Sequence, residues 1–246
     1  MSRMFKSVTR TWNPEVGCLH GCIYCWAREL ATTKLKNSPR YRDGFKPNFF
    51  PNELKKRFKP GEFVFVSSMG DLFGWWVPRE WIESVLTTIA KWPETTFLLQ
   101  TKNPFRFRNF VGELPQNVYL GTTIETTSYL HAIDEQLGRQ SIVLVEPGKI
   151  TWAQDPIDRY FAMTEPCLQR FRKFLSIEPI MDFDLEEMVQ WISEIRPGIV
   201  ELGADNYGNN LPEPPWSKVE ALLARLREIC PEVKEKEGLE RLKERR

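Results

Sequence analysis

Short apolar runs that end in small and polar residues recur along the chain, and this pattern predicts a parallel sheet. In "EFVFVSSMGD" a run of β-branched and aromatic residues stops at Ser67, and later segments repeat the design. Nearly continuous apolar runs of this length are typical of strands that are buried on both faces of a parallel sheet. The predicted strands lie within residues 62–71, 95–104, 117–127, 173–182 and 198–208. The segment 7–14 could supply a strand ahead of them.

Helical periodicity lies between several of these strands. Apolar residues spaced i, i+3, i+4 and i+7 predict a helix after Pro78 and another after the expected N-cap Asp184. The last helix is expected to begin at Ser217, which has capping-box spacing to Glu220. Strands that alternate with helices favour a single α/β domain, either an open barrel or a doubly wound sheet. The expected domain covers 1–230, with an irregular insertion at about 130–163 and a charged C-terminal tail at 231–246.

Composition and charge exclude some classes of protein. A hydrophobic fraction of 41% with 13% aromatic residues is enough for a large core, which excludes disorder over most of the chain. The net charge of +1 predicts no polyanion binding driven by net charge. Clusters at 54–59, 106–108 and 170–174 mix cations with phenylalanine, and their ordinary role is a solvated surface. No long apolar run opens the chain, and the five cysteines do not suggest a disulfide framework, so we expect a cytoplasmic protein without a membrane span.

Polar side chains gather where the predicted strands end. In parallel α/β folds, ligands bind at the carboxyl edge of the sheet, where such side chains meet. Five equivalent clusters therefore favour one shared site. Its candidate residues are Ser67, Ser68, Asp71, Thr101, Lys102, Asn103, Thr122, Thr123, Glu125, Ser176, Glu178, Asp205 and Asn206.

Three of the cysteines lie within eight residues, in the segment "CLHGCIYC". The spacing of Cys18, Cys22 and Cys25 is C-x3-C-x2-C, and thiolates are soft ligands for iron–sulfur clusters or zinc. A Cys3His zinc site that includes His20 is formally possible, although the short loop would have to bend sharply. A four-iron cluster held by three cysteines leaves one iron free to bind a small molecule, which explains the missing fourth ligand.

This motif resembles the signature of the radical S-adenosylmethionine (SAM) superfamily, including the aromatic Tyr24 before the third cysteine. Further blocks, among them "TWNPEVGC", "VFVSSMGDLF", "LLQTKNP" and "ELGADNYGNNLPEPP", resemble an uncharacterised, phage-associated branch that is similar to the spore photoproduct lyase group. A glycine pair of the "GGE" type is missing after the strand at 62–71, where Ser67, Ser68 and Gly70 stand instead.

The resemblance implies a partial (β/α)6 barrel of the radical SAM type with a parallel sheet. Cys18, Cys22 and Cys25 would hold a [4Fe-4S] cluster whose unique iron binds SAM. Reductive cleavage of SAM would then yield a 5′-deoxyadenosyl radical that abstracts a hydrogen atom from the substrate. Tyr24 would pack near the adenine, Ser68 and Lys102 near the methionine end, and Thr123 or Ser176 near the ribose; Ser67 is a further cofactor-binding candidate. Glu125 and Glu178 suit ribose hydroxyls or the sulfonium, and Cys167 and Tyr207 are candidate hydrogen relays.

Several functions remain open on the sequence alone. The first is a radical SAM enzyme that modifies or repairs a nucleic acid base, with Phe49–Phe50 or Trp75–Trp76 as stacking candidates. The second is a radical SAM enzyme that acts on a protein or small molecule with a partner. The third is a non-enzymatic protein with a structural or redox iron–sulfur cluster, or with zinc. Either enzyme would need an external electron donor of the flavodoxin or ferredoxin type.

Overall fold

A computed structural model describes residues 4–128 and 150–244, and its main element is a parallel sheet. The strands of the described residues are β1 (Arg10–Trp12), β2 (Glu15–Val16), β3 (Asn48–Phe49), β4 (Phe63–Val66), β5 (Thr96–Gln100), β6 (Val118–Thr123), β7 (Arg172–Ile177), β8 (Ile199–Leu202) and β9 (Glu232–Glu235). The α-helices are α1 (Trp26–Thr32), α2 (Arg79–Ala90), α3 (Pro156–Thr164), α4 (Leu185–Ile195) and α5 (Trp216–Ile229).

Seven strands form the main sheet in the order β1-β4-β5-β6-β7-β8-β9, and every neighbouring pair is parallel. The sheet curls into a half barrel, which confirms the predicted single α/β domain with a partial barrel. It has one strand more than the six expected. Because all seven strands run in the same direction, their carboxyl ends meet at one edge, where the polar residues were predicted to gather. Strands β2 and β3 form a separate antiparallel pair.

The two faces of the sheet have different cores because successive side chains of a strand point to opposite faces. On the outer face the helices cover a large apolar core that includes Val64, Leu99, Leu175, Val200, Val85, Ile192 and Leu222. On the inner face a smaller cluster closes one end of the half barrel. It consists of Phe5, Val8, Phe65, Leu98, Phe174 and Ile199, so the N-terminal segment packs inside the barrel.

The predicted helices are present, with one corrected boundary. The carboxylate of Asp184 caps α4 by accepting a hydrogen bond from the Glu187 N–H at 2.9 Å, as predicted. Ser217 is not the N-cap of α5, because this helix starts one residue earlier, after Pro215. The fixed φ of a proline favours a helix start at this position. Among the described residues no helix has the length and apolar character that a membrane crossing requires.

The predicted charged tail is wrong, because residues 232–235 form β9 at the edge of the sheet beside β8. Leu239 and Leu242, which follow it, are buried in the main core. The domain therefore extends beyond residue 230. The predicted insertion at 130–163 lies largely outside the described residues, but its last part, α3, is a regular helix that packs against α4 and β6.

Candidate active site

A cavity of about 1210 Å³ opens at the carboxyl edge of the sheet. The radical SAM resemblance implied thirteen residues as cluster ligands, cofactor-binding residues or hydrogen relays, and ten of these line the cavity. They are Cys18, Cys22, Tyr24, Cys25, Ser68, Lys102, Thr123, Ser176, Glu178 and Tyr207. Ser67, Glu125 and Cys167 are not part of the lining.

Two glycines shape the cysteine loop, which is defined here as residues 17–25. Gly17 and Gly21 have φ angles of +86° and +67°, which side chains rarely adopt. A Cβ atom at Gly17 would collide with the backbone carbonyl of Lys46, and one at Gly21 would lie 2.5 Å from the Trp152 ring. The Gly17 N–H donates a hydrogen bond to the Met69 carbonyl at 2.8 Å. The loop is therefore fixed to the segment that follows β4.

Each of the three cysteine sulfurs has a hydrogen-bonding neighbour. The His20 N–H donates to Cys18 Sγ at 3.5 Å, and the Arg28 N–H donates to Cys25 Sγ at 3.4 Å. Cys22 Sγ lies 3.1 Å from the Thr151 hydroxyl. Burial and the charges of Asp71 and Cys22 raise the pKa of Cys18 well above its ordinary value, and burial raises the pKa of Cys25.

Three thiols that line one cavity are ligands of the chemical kind that an iron–sulfur cluster takes. A cationic centre would offset the repulsion between thiolates in the same cavity, and N–H groups near the sulfurs tune such clusters. Among the described residues no three His, Cys, Asp or Glu side chains form a group that could hold a single metal ion. A four-iron cluster has no such requirement, because each cysteine binds a different iron.

His20 is used to hold the cysteine loop in place. Its Nε2 lies 2.8 Å from a carboxylate oxygen of Asp71, and its ring packs edge-on against Trp76. The same Asp71 oxygen accepts a hydrogen bond from the Lys102 backbone N–H at 2.9 Å. Burial acts to raise the pKa of Asp71, but the hydrogen bond and charge of His20 outweigh it, and the pKa is lowered. The arrangement gives no support to a zinc site that includes His20.

A buried charge network positions Tyr24 and Lys102 on the cavity wall. The Tyr24 hydroxyl donates to Glu125 Oε1 at 2.7 Å, and the Lys102 ammonium donates to the same oxygen. Arg159, which is fully buried in α3, donates to Glu125 Oε2 at 2.8 Å. Burial acts to raise the pKa of Glu125, but Arg159 and Lys102 outweigh it and lower the pKa to about 2. Glu125 therefore orients two lining residues and does not face the cavity itself.

The predicted serines and threonines have two kinds of environment. Ser68 and Thr123 line the cavity, and their hydroxyls pair with Asn13 Oδ1 and Gln100 Nε2, each at 3.1 Å. Ser67 is buried with a φ of 53° and its N–H bonds to a carbonyl of β1, so it shapes the turn after β4. Ser67, a predicted cofactor-binding residue, is therefore not among the residues that line the cavity. Ser176 lines the cavity from the end of β7.

The opposite wall of the cavity carries a second polar group of residues. Glu178 forms an ion pair with Lys236, which directly follows β9, and burial raises the pKa of Glu178. Tyr207 is 63% exposed and lines the cavity beside Asp205. Cys167 is exposed in a short 3₁₀ helix, with its Sγ 3.6 Å from Glu165, and it is outside the cavity lining. That placement argues against its predicted role as a hydrogen relay.

The sequence did not predict the residues that hold the cavity-lining side chains in position. These residues are Asn13, Gln100, Arg159 and Lys236. The pairing of His20 with Asp71 was not predicted either. Asn13 and Gln100 could have been found, because each lies at the end of a strand of the sheet. Arg159 and Lys236 lie in segments that were assigned to an insertion and to a tail.

Comparison with known proteins gives a family and a fold. A family described as "protein of unknown function (DUF5131)" matches residues 4–143. Two mutants of spore photoproduct lyase, one tyrosine-to-phenylalanine and one cysteine-to-serine, superimpose with a TM-score of 0.55 at 9% identity. The match covers 90% and 92% of this chain and 74% and 75% of theirs.

A cysteine-to-alanine mutant of spore photoproduct lyase with dinucleoside spore photoproduct gives a TM-score of 0.50 at 10% identity. The match covers 87% of this chain but 60% of that one, so the chain spans less than two thirds of that relative. No curated protein matches the sequence. At these identities the similarity shows that the fold is shared.

Proposed function

The chain belongs to the DUF5131 family of proteins of unknown function, and from that premise we propose that it is a radical SAM enzyme. One observation carries the proposal. Cys18, Cys22 and Cys25 follow the first strand of a partial barrel and line the same cavity as Lys102 and Tyr24. The resemblance of "CLHGCIYC" to the radical SAM signature and the fold shared with spore photoproduct lyase point in the same direction.

The three cysteines would hold a [4Fe-4S] cluster. When bound, such a cluster supplies the electron for reductive cleavage of SAM, which is followed by hydrogen-atom abstraction from the substrate. The residues of the chain hold the ligands in place: Gly17 and Gly21 set the shape of the loop, and the His20–Asp71 contact fixes it to the sheet. The association with phages stays a prediction.

The cavity wall offers groups that suit each part of SAM. Lys102 presents a positive charge for the carboxylate of the methionine end, and Tyr24 presents an aromatic ring for the adenine. The hydroxyls of Ser68, Thr123 and Ser176 suit ribose and amino groups. Glu125 would act by holding Lys102 and Tyr24 in position, with Arg159 as its partner.

The substrate we favour is a nucleic acid base, to be modified or repaired. A solved relative of the same fold is described with a dinucleoside photoproduct, and the cavity of about 1210 Å³ is large enough for SAM and a nucleoside. An external electron donor of the flavodoxin or ferredoxin type would reduce the cluster. A cavity at the sheet edge also suits a protein segment or a small molecule, so the substrate screen below includes both.

The test is formation of 5′-deoxyadenosine under anaerobic conditions with dithionite and SAM. The wild type should bind iron and sulfide, show the broad visible absorbance of an iron–sulfur cluster and form 5′-deoxyadenosine. Cys22→Ala should lose the absorbance and the product. The matched controls are Cys167→Ala and Cys230→Ala, which remove thiols outside the cavity and should keep both signals.

Two results would overturn the proposal. One is product formation by Cys22→Ala at the wild-type rate. The other is a wild-type protein with a fully loaded and reduced cluster that leaves SAM intact, which would favour a structural or redox role. Turnover of DNA or RNA oligonucleotides, peptides and small metabolites then identifies the substrate class.

A further inference from the structure

The charge of the chain is distributed very unevenly. Residues 28–59 contain ten basic and three acidic side chains, while the rest of the chain contains 24 basic and 30 acidic ones. The near-neutral total therefore hides one strongly basic segment. This segment runs from α1 through a long connection to the 3₁₀ helix Pro51–Lys55 and the residues that follow it. We call its exposed side the basic face.

The cations of the basic face are directed to solvent. Lys34, Lys36, Arg42 and Lys46 are exposed, and no carboxylate of the described residues lies within ion-pair distance of them. The acidic residue Glu53 is buried and pairs with Arg40 and Lys56. Most of the positive charge is thus available to a partner.

The basic face is continuous with the cysteine loop. Its inner side packs against the loop through a small core that includes Tyr41, Phe45 and the partly buried Cys18 and Cys25. The Cys18 N–H donates to the Phe45 carbonyl at 3.3 Å, and Lys46 follows Phe45 directly. Trp26, Ala27, Leu30 and Phe45 also line the cavity. A ligand on the basic face would therefore reach the mouth of the cavity.

Exposed aromatic rings lie next to the same loop. The ring of Trp152, which is 63% exposed, lies over Gly21. Trp75, which is 72% exposed, packs against Trp76, which in turn contacts His20. The phenylalanines of the basic clusters, in contrast, are buried, among them Phe58 and Phe107. The two exposed tryptophans are thus rings beside the cysteine loop that are placed to stack on a base.

We propose that the basic face binds the phosphodiester backbone of a nucleic acid strand, so that a base can reach the cavity. The inference deepens the proposed function, because it assigns a binding surface to the substrate class of the same site. Cations that follow a backbone, combined with aromatic rings for stacking, are the usual means of binding single strands.

A membrane and an acidic protein fit the basic face less well. Membrane-surface binding needs large apolar side chains to insert, and protein interfaces need an apolar centre. Within the described residues of 28–59 no large hydrophobic side chain is strongly exposed, and the exposed Leu19, Ile23, Trp75 and Trp152 lie in or next to the cysteine loop instead. A segment of exposed cations beside a few exposed rings favours a polyanion whose bases can stack.

The test measures binding of fluorescent single strands and duplexes, of DNA and RNA, to the full chain at several salt concentrations. The test variant replaces the four exposed cations Lys34, Lys36, Arg42 and Lys46 by glutamine. The control variant makes the same charge change at four exposed cations outside the basic face, which are Lys91, Arg108, Arg170 and Arg172. The wild type should bind single strands with an affinity that falls steeply with salt.

The test variant should bind at least about tenfold more weakly, and its salt slope should fall by about 0.7 for each phosphate that it no longer neutralises. The control should bind like the wild type. Equal weakening in both variants, or no salt-dependent binding by the wild type, would overturn the proposal. Binding only to anionic vesicles or to an acidic flavodoxin would also overturn it.

The outcome is separable from that of the proposed function. Formation of 5′-deoxyadenosine without nucleic acid should be unchanged in the test variant, because none of the four residues lines the cavity. If the protein binds strands but never cleaves SAM, nucleic acid binding by the basic face is supported and the radical SAM proposal is refuted. If it cleaves SAM but binds no strand, the radical SAM proposal is supported and binding by the basic face is refuted.

Discussion

Glu125 is the residue on which the geometry of the cavity wall depends most. Its carboxylate is fully buried between Arg159 and Lys102, and although burial acts to raise its pKa, these cations lower the pKa to about 2. The pKa of a glutamate in the unfolded chain is about 4.3. The ionised carboxylate therefore stabilises the fold above about pH 5, and this contribution is lost as the pH falls towards the folded-state pKa.

Glu125→Gln should lower the free energy of unfolding by about 3–5 kcal/mol at pH 7, because it leaves Arg159 and Lys102 without their counter-charge. The loss should shrink as the pH falls from about 5 towards about 3, where the wild type loses the same contribution. Urea unfolding across this pH range and at neutral pH measures both effects. Glu186→Gln is the control, because that side chain is 73% exposed and forms a surface ion pair with Arg225. If Glu125→Gln had wild-type stability at neutral pH, the ionised Glu125 carboxylate would not stabilise the fold through Arg159 and Lys102.

Single residues differ in how far the sequence could predict them. Lys102 and Glu125 were found because each follows a strand whose apolar pattern is clear. Arg159 was missed because a buried arginine on a helix has no periodic signal of its own. The carboxylate of Glu125, distant in sequence, and the backbone carbonyls of Thr123 and Gln154 accept hydrogen bonds from its guanidinium, which explains why a cation is stable there.

At the scale of elements, strands β4 to β8 could be predicted from the sequence, whereas strand β9 could not. Strands β4 to β8 have nearly continuous apolar cores, and their pattern predicted all five. Strand β9 reads "EVKE" and lies at the edge of the sheet, where charged side chains are common, so its sequence resembles a tail. Its place depends on backbone pairing with β8 and on leucines that follow it.

The edge strand should contribute to stability through those leucines. Leu239→Ala removes a side chain that is 1% exposed in the main core, so we expect the free energy of unfolding to fall by about 2–5 kcal/mol. Glu237→Ala, an exposed position of the same segment, should change it by less than about 0.5 kcal/mol. Urea denaturation compares the two. Equal stability of both variants would mean that residues 231–246 behave as the tail that their charge suggested.

At the scale of the whole molecule, one end of the half barrel carries the candidate site and the other end is closed by apolar packing. The carboxyl edge holds the cysteine loop and the cavity mouth, and its polar residues could be predicted because parallel strands share that edge. The other end is closed by the N-terminal segment through Phe5 and Val8. No pattern predicted this closure, since residues 4–8 are too short to show periodicity. The carboxylate of Glu201 fixes it by accepting hydrogen bonds from the Lys6 and Ser7 N–H groups, each at 2.7 Å.

This division predicts that stability and cluster loading can be changed separately. Glu201→Ala removes both acceptors for the N-terminal segment, so the free energy of unfolding should fall by about 2–4 kcal/mol. Proteolysis near residues 4–8 should become faster, while the absorbance of the reconstituted cluster per folded molecule stays at the wild-type level. Cys22→Ala should show the opposite pattern, with an intact N-terminus and no cluster. Loss of the cluster signal in folded Glu201→Ala would contradict this prediction. It would mean that the N-terminal segment, which also lines the cavity, affects the cysteine loop.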